Sequence, residues 1–219
     1  MNKKKIAVAA ALAALAAWTV TSRAPTSQNR VLADAFPAGL LLSPASCTTP
    51  EWPSEARRYE VDGITVVHFQ IGADGRIDNA TVAKSSSWTL LDEAALRSLV
   101  KCTFKPGLDE AARTTYPIQF VWTLSGPPTN RPALVPGSCR PSRTFSGFER
   151  FNRAATAADG VLVRFLVDGA GKPVGVKAEG VVSDVAALDF ISSCKFAVDA
   201  SLPGDQTDTV YGRVLAVAK

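Results

Sequence analysis

The sequence predicts an α+β protein of two tandem small units, each a three-stranded antiparallel sheet packed with a helix. Three observations predict this class: the four cysteines form two equally spaced pairs, a strand-turn-strand pattern occurs twice, and a proline-rich stretch separates the two occurrences. The chain has 219 residues, of which 47% are hydrophobic and 20% are charged. This composition supports folded cores and excludes a disordered protein.

The first 24 residues have the pattern of an export signal. Lys3, Lys4 and Lys5 precede an apolar run over residues 6–20. As a helix this run spans about 22 Å, which is shorter than the ~30 Å hydrocarbon core of a bilayer. A cleaved signal peptide and an uncleaved membrane anchor over residues 1–24 are both open. In either case we expect the rest of the chain to be exported, with any membrane contact made through this segment alone.

The net charge of +4 also comes from the first segment. Lys3, Lys4, Lys5 and Arg23 are four of the 24 basic residues, and they precede the first acidic residue, Asp34. The rest of the chain is neutral, because its basic residues equal the 20 acidic ones in number. It therefore lacks the basic face that nucleic-acid binding requires, and that function is excluded.

The cysteines of an exported chain are expected to form disulfides. Cys47 and Cys102 are 55 positions apart, and so are Cys139 and Cys194. The neighbourhood of each pair repeats, which favours the bonds Cys47–Cys102 and Cys139–Cys194 among the three possible connectivities. In the chain-entropy model a loop of this length contributes roughly 4 kcal/mol to the stability of each unit.

The predicted units are residues 47–124 (the first unit) and residues 139–219 (the second unit). Residues 25–46 are predicted to link the export signal to the first unit. Residues 125–138, in which prolines are concentrated, are predicted to be a stiff linker between the two units.

In the first unit, alternating residues predict a strand with one core face, ending in a tight turn and a returning strand. Thr89 is expected to cap a helix with Asp92 three residues later. The next strand, from residue 116 to 124, completes the sheet. The core-facing residues of the first strand are Thr65, Val67, Phe69 and Ile71; those of the helix are Leu91, Ala95, Leu99 and Cys102; those of the last strand are Ile118, Phe120, Trp122 and Leu124.

The second unit repeats this order with a first strand centred on Phe165, a helix capped by Ser183, and a last strand over residues 209–217. The opposite face of each first strand is also apolar, with Ile64 and Val66 in one unit and Leu162 and Leu166 in the other. Either the two units pack together there, or another protein covers these faces.

Seven motifs follow one another in the first unit. They are the Trp-Pro start within residues 51–57, Asp62-Gly63, the strand to Ile71, Asp74-Gly75 with Ile77, residues 84–87, residues 91–96 and Phe104-Lys-Pro106. In these motifs and in their order the first unit resembles the TonB C-terminal domain family. The second unit resembles a degenerate member, because it lacks the Trp-Pro start and the Phe-x-Pro after its second cysteine.

This resemblance implies a non-enzymatic periplasmic module that binds a protein or peptide, such as a segment of an outer-membrane receptor, and that serves TonB-type energy transduction or transport. It places the partner on an edge strand by β-strand pairing. No catalytic, cofactor or metal site is predicted. The alternative is a stand-alone structural protein of the envelope whose two units bind only each other. The residues of the edge strand are Tyr116, Pro117, Ile118, Gln119, Phe120, Val121, Trp122 and Thr123.

His68, the only histidine, is expected to face solvent or the other unit. The equivalent position in the second unit is Arg164. A catalytic triad would need His68 near Asp92 and a serine of residues 85–87. Nothing in the sequence predicts a nucleophile elbow or an oxyanion hole at these serines, so a hydrolase is not expected.

Overall fold

The computed structural model describes residues 27–32, 37–47, 50–107, 114–124, 131–153, 160–180, 184–198 and 207–217. The predicted export signal lies outside these residues, as does the predicted cap Ser183. Among the helices that the structure describes, none combines the length and apolar character needed to cross a bilayer.

The first unit is built on a four-stranded antiparallel sheet with two helices. The strands lie in the spatial order β1-β4-β2-β3, and the fold class predicted from the sequence is confirmed. The sheet has one strand more than expected, because residues assigned to the linker pair with the last strand as β1. The elements are β1 (Ser27–Leu32), α1 (Ser54–Arg58), β2 (Gly63–Ile71), β3 (Ile77–Lys84), α2 (Thr89–Leu99) and β4 (Tyr116–Leu124).

The main sheet of the second unit has the same order, β6-β10-β7-β8, and again one strand more than expected, and β5 and β9 pair in a separate two-stranded sheet. Its helix begins after Asp184, whose carboxylate accepts a hydrogen bond from the Ala187 N–H at 3.0 Å. The elements are β5 (Ala133–Leu134), β6 (Phe145–Arg150), β7 (Gly160–Val167), β8 (Pro173–Ala178), α3 (Val185–Ser192), β9 (Phe196–Ala197) and β10 (Asp208–Ala216).

Both disulfides join the predicted cysteines, Cys47 to Cys102 and Cys139 to Cys194. The segment after each second cysteine crosses the turn of the β-hairpin in its own unit. The Phe104 N–H donates to the Gly75 carbonyl at 2.7 Å, and the Phe196 N–H donates to the Gly171 carbonyl at 2.8 Å. The two units thus share these two ties, the disulfide and the bond from the crossing segment to the turn glycine.

Both turn glycines are required by this crossing. Gly75 has φ +79° and Gly171 has φ +76°, in the left-handed region that disfavours other residues. A Cβ on either residue would lie 2.2 Å from the carbonyl oxygen of Phe104 or Phe196. Any side chain at these turns would therefore push the crossing segment off the hairpin.

The helix of the first unit begins differently from the prediction. Thr89 is the first helical residue rather than the cap, and no side chain caps the helix at Trp88. Asp92, nearly buried, points across to the sheet instead. Its carboxylate accepts hydrogen bonds from the Thr65 hydroxyl at 2.7 Å, the Ser86 N–H at 2.9 Å and the Ser85 hydroxyl. Asp92 therefore links α2, β2 and the loop between β3 and α2.

The two units pack together through unlike surfaces. The outer face of the second sheet covers α1 and the loop before α2, so that Leu162, Leu166 and Tyr211 join the core of the first unit. The expectation that Leu162 and Leu166 are covered is met by the first unit itself. The corresponding face of the first sheet is not used: Ile64 remains 40% exposed.

Arg164 is the central polar group of this interface. It is nearly buried, and its guanidinium contacts Glu55 of α1 at 2.7 Å and Glu179 of its own unit. The planar cation also lies over the rings of Tyr59 and Trp88, at 5.6 Å and 5.8 Å from their centres. A buried arginine requires paired acids, and here one of them comes from each unit.

A second set of polar contacts joins β10 to the loop between α1 and β2. The Tyr211 hydroxyl donates to Asp62 at 3.0 Å, and the Thr209 hydroxyl donates to Glu60 at 2.9 Å. Burial raises the pKa of Tyr211, and the negative charge of Asp62 adds to this effect. These contacts hold the two units in one orientation.

We expect Asp92→Ala to lower the free energy of unfolding by about 3 kcal/mol, because it leaves two buried donors, the Thr65 hydroxyl and the Ser86 N–H, without their acceptor. Glu93→Ala is the matched control on the same helix. It removes only an exposed ion pair with Arg97 and should change stability by less than about 0.5 kcal/mol. Urea unfolding followed by tryptophan fluorescence measures both. Equal effects of the two substitutions would contradict the linking role of Asp92.

The contact between Glu55 and Arg164 predicts a pH dependence. The hydrogen bond from Arg164 lowers the pKa of Glu55 below 4.5 despite partial burial, and nearby Lys177 adds to this effect. A lowered pKa stabilises the fold above pH 4.5, and the contribution is lost as the pH falls through the lowered value. Glu55→Gln should therefore lower the thermal midpoint at neutral pH and have less effect near pH 3. A difference that stays constant over this range would show that the Glu55 charge contributes nothing.

Candidate partner-binding strand

The predicted partner strand is β4, in the middle of the first sheet. Its inward side chains Ile118, Phe120 and Trp122 are buried, as the alternation in the sequence predicts. The Trp122 indole donates to the Thr65 hydroxyl at 3.2 Å, which joins β4 to the Asp92 hydrogen bonds. The strand is therefore fixed from its inner face, and its backbone position is set before any partner arrives.

The outer side of β4, which is its backbone edge pointing away from β2, is paired, whereas the sequence predicted an unpaired edge. On one side β4 pairs with β2, from Gly63 opposite Trp122 to Phe69 opposite Tyr116. On the other side it pairs with β1, from Ser27 opposite Leu124 to Leu32 opposite Gln119. The strand β1 thus occupies the place in which the resemblance puts a partner peptide.

The pairing shows what this side of β4 accepts. It holds an antiparallel strand over six consecutive positions, residues 119–124. Tyr116, Pro117 and Ile118 extend beyond the end of β1, and Pro117 has no N–H to donate. Any strand of similar length added to β4 must therefore overlap β1.

Four uncharged side chains of β2 and β4 lie on the outer face of the sheet, next to the edge of β4 that pairs with β1. Ile64 lies opposite Val121, and Val66 lies opposite Gln119. Val66, Gln119 and Val121 are half-buried, and none of the four side chains is charged. A partner strand on β4 would bring its own side chains next to Gln119 and Val121, so apolar or uncharged residues would fit there.

In the part of the second unit that the structure describes, β10 is the strand equivalent to β4. The outer side of β10 pairs with β6, and the outer face of that sheet is covered by the first unit. The strands β1 and β6 come from opposite sides of the first cysteine in their units. In the sequence, β6 follows Cys139 at about the same distance as α1 follows Cys47. It therefore lies within the loop closed by Cys139 and Cys194.

The structure separates the residues of a hydrolytic triad. Ser85 and Ser86 meet Asp92 beneath the inner face of β2, whereas His68 is exposed on the opposite face between Thr81 and Pro117. The equivalent position in the second unit, Arg164, is at the interface between the units. Asp92 thus orders the loop, and His68 is a surface residue.

The strand β1 is not predicted from the sequence, because its six residues give no strand pattern. Ser27, Gln28, Asn29 and Arg30 are polar in succession, and apolar residues occur only at Val31 and Leu32. Periodicity detects a strand with a buried face, whereas this strand is held through its backbone at the edge of a sheet. The strand also precedes Cys47, at which the predicted first unit begins.

Residues 48–124 match the family model described as "Gram-negative bacterial TonB protein C-terminal". The match covers the first unit and ends at the last residue of β4. Comparisons with curated proteins and with solved structures found no match.

Proposed function

Residues 48–124 form a domain of the TonB C-terminal family, and from this premise we propose that the protein is a periplasmic module that binds an extended peptide along β4. Domains of this family interact with proteins such as outer-membrane receptors. The partner proposed here is a receptor segment exposed to the periplasm, and the role is TonB-type energy transduction or transport.

One observation carries the proposal: β4 holds an added antiparallel strand on the side opposite β2. Backbone N–H and C=O groups supply most of the affinity in this mode of recognition, so the partner needs an extended conformation more than a particular sequence. The rigid inner face of β4 supports this mode, because Ile118, Phe120 and Trp122 hold the backbone in place. On β2 the apolar Ile64 lies opposite Val121, and this neighbour favours a partner with small or apolar side chains.

A self-contained envelope protein is the second candidate. It is favoured by the pairing of both last strands, since β1 pairs with β4 and β6 pairs with β10. In that case the two units serve each other, and no peptide adds to either sheet. The two candidates differ in one measurable property, which is strand addition to the first unit in trans.

The first test uses synthetic receptor segments that face the periplasm and isotope-labelled protein. We expect binding to shift backbone amide resonances of residues 116–124 and to leave those of β8 and α3 unchanged. A pair of N-methylated peptides is the matched control, because successive N–H groups of a strand point to opposite sides. Methylation of one alternate set should abolish binding, and methylation of the other set should preserve it. Equal binding of both peptides would exclude strand pairing.

The second test changes the protein. Val121→Pro removes a backbone donor and fixes φ near −65°, and we expect it to abolish peptide binding. Val121→Ala keeps the donor and should weaken binding only a few-fold. A retained thermal transition and both disulfides show that the proline variant is folded. Should the variant not fold, the methylated peptides decide the question, because they leave the protein unchanged.

A further inference from the structure

We propose that β1 is a displaceable internal ligand of β4, which a partner strand must expel before it can bind. This inference rests on the proposed function and adds its regulation. The two strands cannot share β4, because β1 takes six of its nine positions and the remaining three include Pro117. Binding of a partner therefore requires release of residues 27–32.

The connections of β1 allow this release. The strand lies outside the loop closed by Cys47 and Cys102, and in the described part of the chain it pairs with β4 alone. The next firmly held backbone is at residues 40–42, where the Lys105 N–H donates to the Leu40 carbonyl and the Leu42 N–H donates to the Thr103 carbonyl. Removal of β1 from the sheet thus leaves the disulfide and these backbone bonds in place.

The second unit shows the contrasting arrangement. Its covering strand β6 is held at both ends by backbone hydrogen bonds to the β10 region, from Val217 to Thr144 and from Phe151 to Tyr211. It also carries Phe145 and Phe148, which pack in the core of that unit. Displacement of β6 would open that core within a closed disulfide loop. The same position is therefore permanently closed in the second unit and can open in the first.

The short connection makes β1 a strong competitor. Seven residues separate Leu32 from Leu40, and a linker of this length gives an effective concentration on the order of millimolar. The apparent affinity of a partner falls by the fraction of molecules in which β4 is open. Weak encounters are thereby rejected, and a bound partner frees six residues that extend by up to about 20 Å.

The test compares three full-length proteins: wild type, Arg30→Pro with Val31→Pro, and Arg30→Ala with Val31→Ala. Because neighbouring N–H groups of a strand point to opposite sides, one of the two prolines removes a donor that faces β4. The alanine variant removes the same side chains and keeps both donors. The probes are a fluorescein-labelled peptide with the sequence of residues 27–32 and a labelled receptor segment.

We expect both peptides to bind the proline variant at least about tenfold more tightly than the wild type or the alanine variant. Those amides of residues 119–124 that face β1 should exchange with solvent faster in the proline variant, while those of β2 that pair with β3 stay protected. The retained β2 amides report that the sheet is intact, so a folding failure is separated from the release of β1.

Two results overturn the inference and leave the proposed function standing. One is equal binding of the receptor segment at β4 in wild type and proline variant. The other is unchanged exchange of residues 119–124 in the proline variant while the receptor segment still binds. A third result, in which these amides become exchangeable but neither peptide binds, overturns the proposed function and with it this inference.

Discussion

β4 and β10 each carry a row of backbone N–H and C=O groups on the side that points away from the β-hairpin of their unit. These groups need partners, and the rest of the structure depends on how they are paired. An unpaired strand in this position would invite association with other chains. In the first unit β1 pairs with β4, and in the second unit β6 pairs with β10. The sheet order is the same in both, but the covering strand comes from opposite sides of the first cysteine. This difference separates a strand that can leave from one that cannot.

The origin of the covering strand also explains how the units pack. Residues after Cys47 are free to form α1, because β1 comes from before the cysteine, and α1 meets the outer face of the second sheet. The residues at the matching position after Cys139 form the strand β6 and not a helix. The interface is therefore between a helix and a sheet face, with Arg164 paired to Glu55 at its centre. The second unit thus packs on the side of the first unit that carries α1. It leaves the outer face of the first sheet near Ile64 and Val121 uncovered.

Much of the fold is readable from local patterns. Alternation predicts which side chains of β2 and β4 are buried, because one face of the sheet meets the helix and the other does not. The Glu93–Arg97 ion pair follows from helical spacing. Asp92 shows the limit of this reasoning. Its spacing from Thr89 fits a helix cap, yet its carboxylate binds Thr65 and Ser86, because donors brought from the sheet compete with the local backbone.

The sequence by itself determined the class of fold, the two disulfides and the resemblance of residues 47–124 to a known family. These features depend on local residue patterns and on spacings along the chain, which are present before the chain folds. Only the tertiary structure decided that residues 27–32 cover β4, that Leu162 and Leu166 pack against the first unit, and that Arg164 joins the two units. The pairing of β1 uses backbone groups that every residue carries, so no side-chain pattern announces it. Packing of one unit on the other depends on the shapes of two folded surfaces, which exist only after each unit has formed.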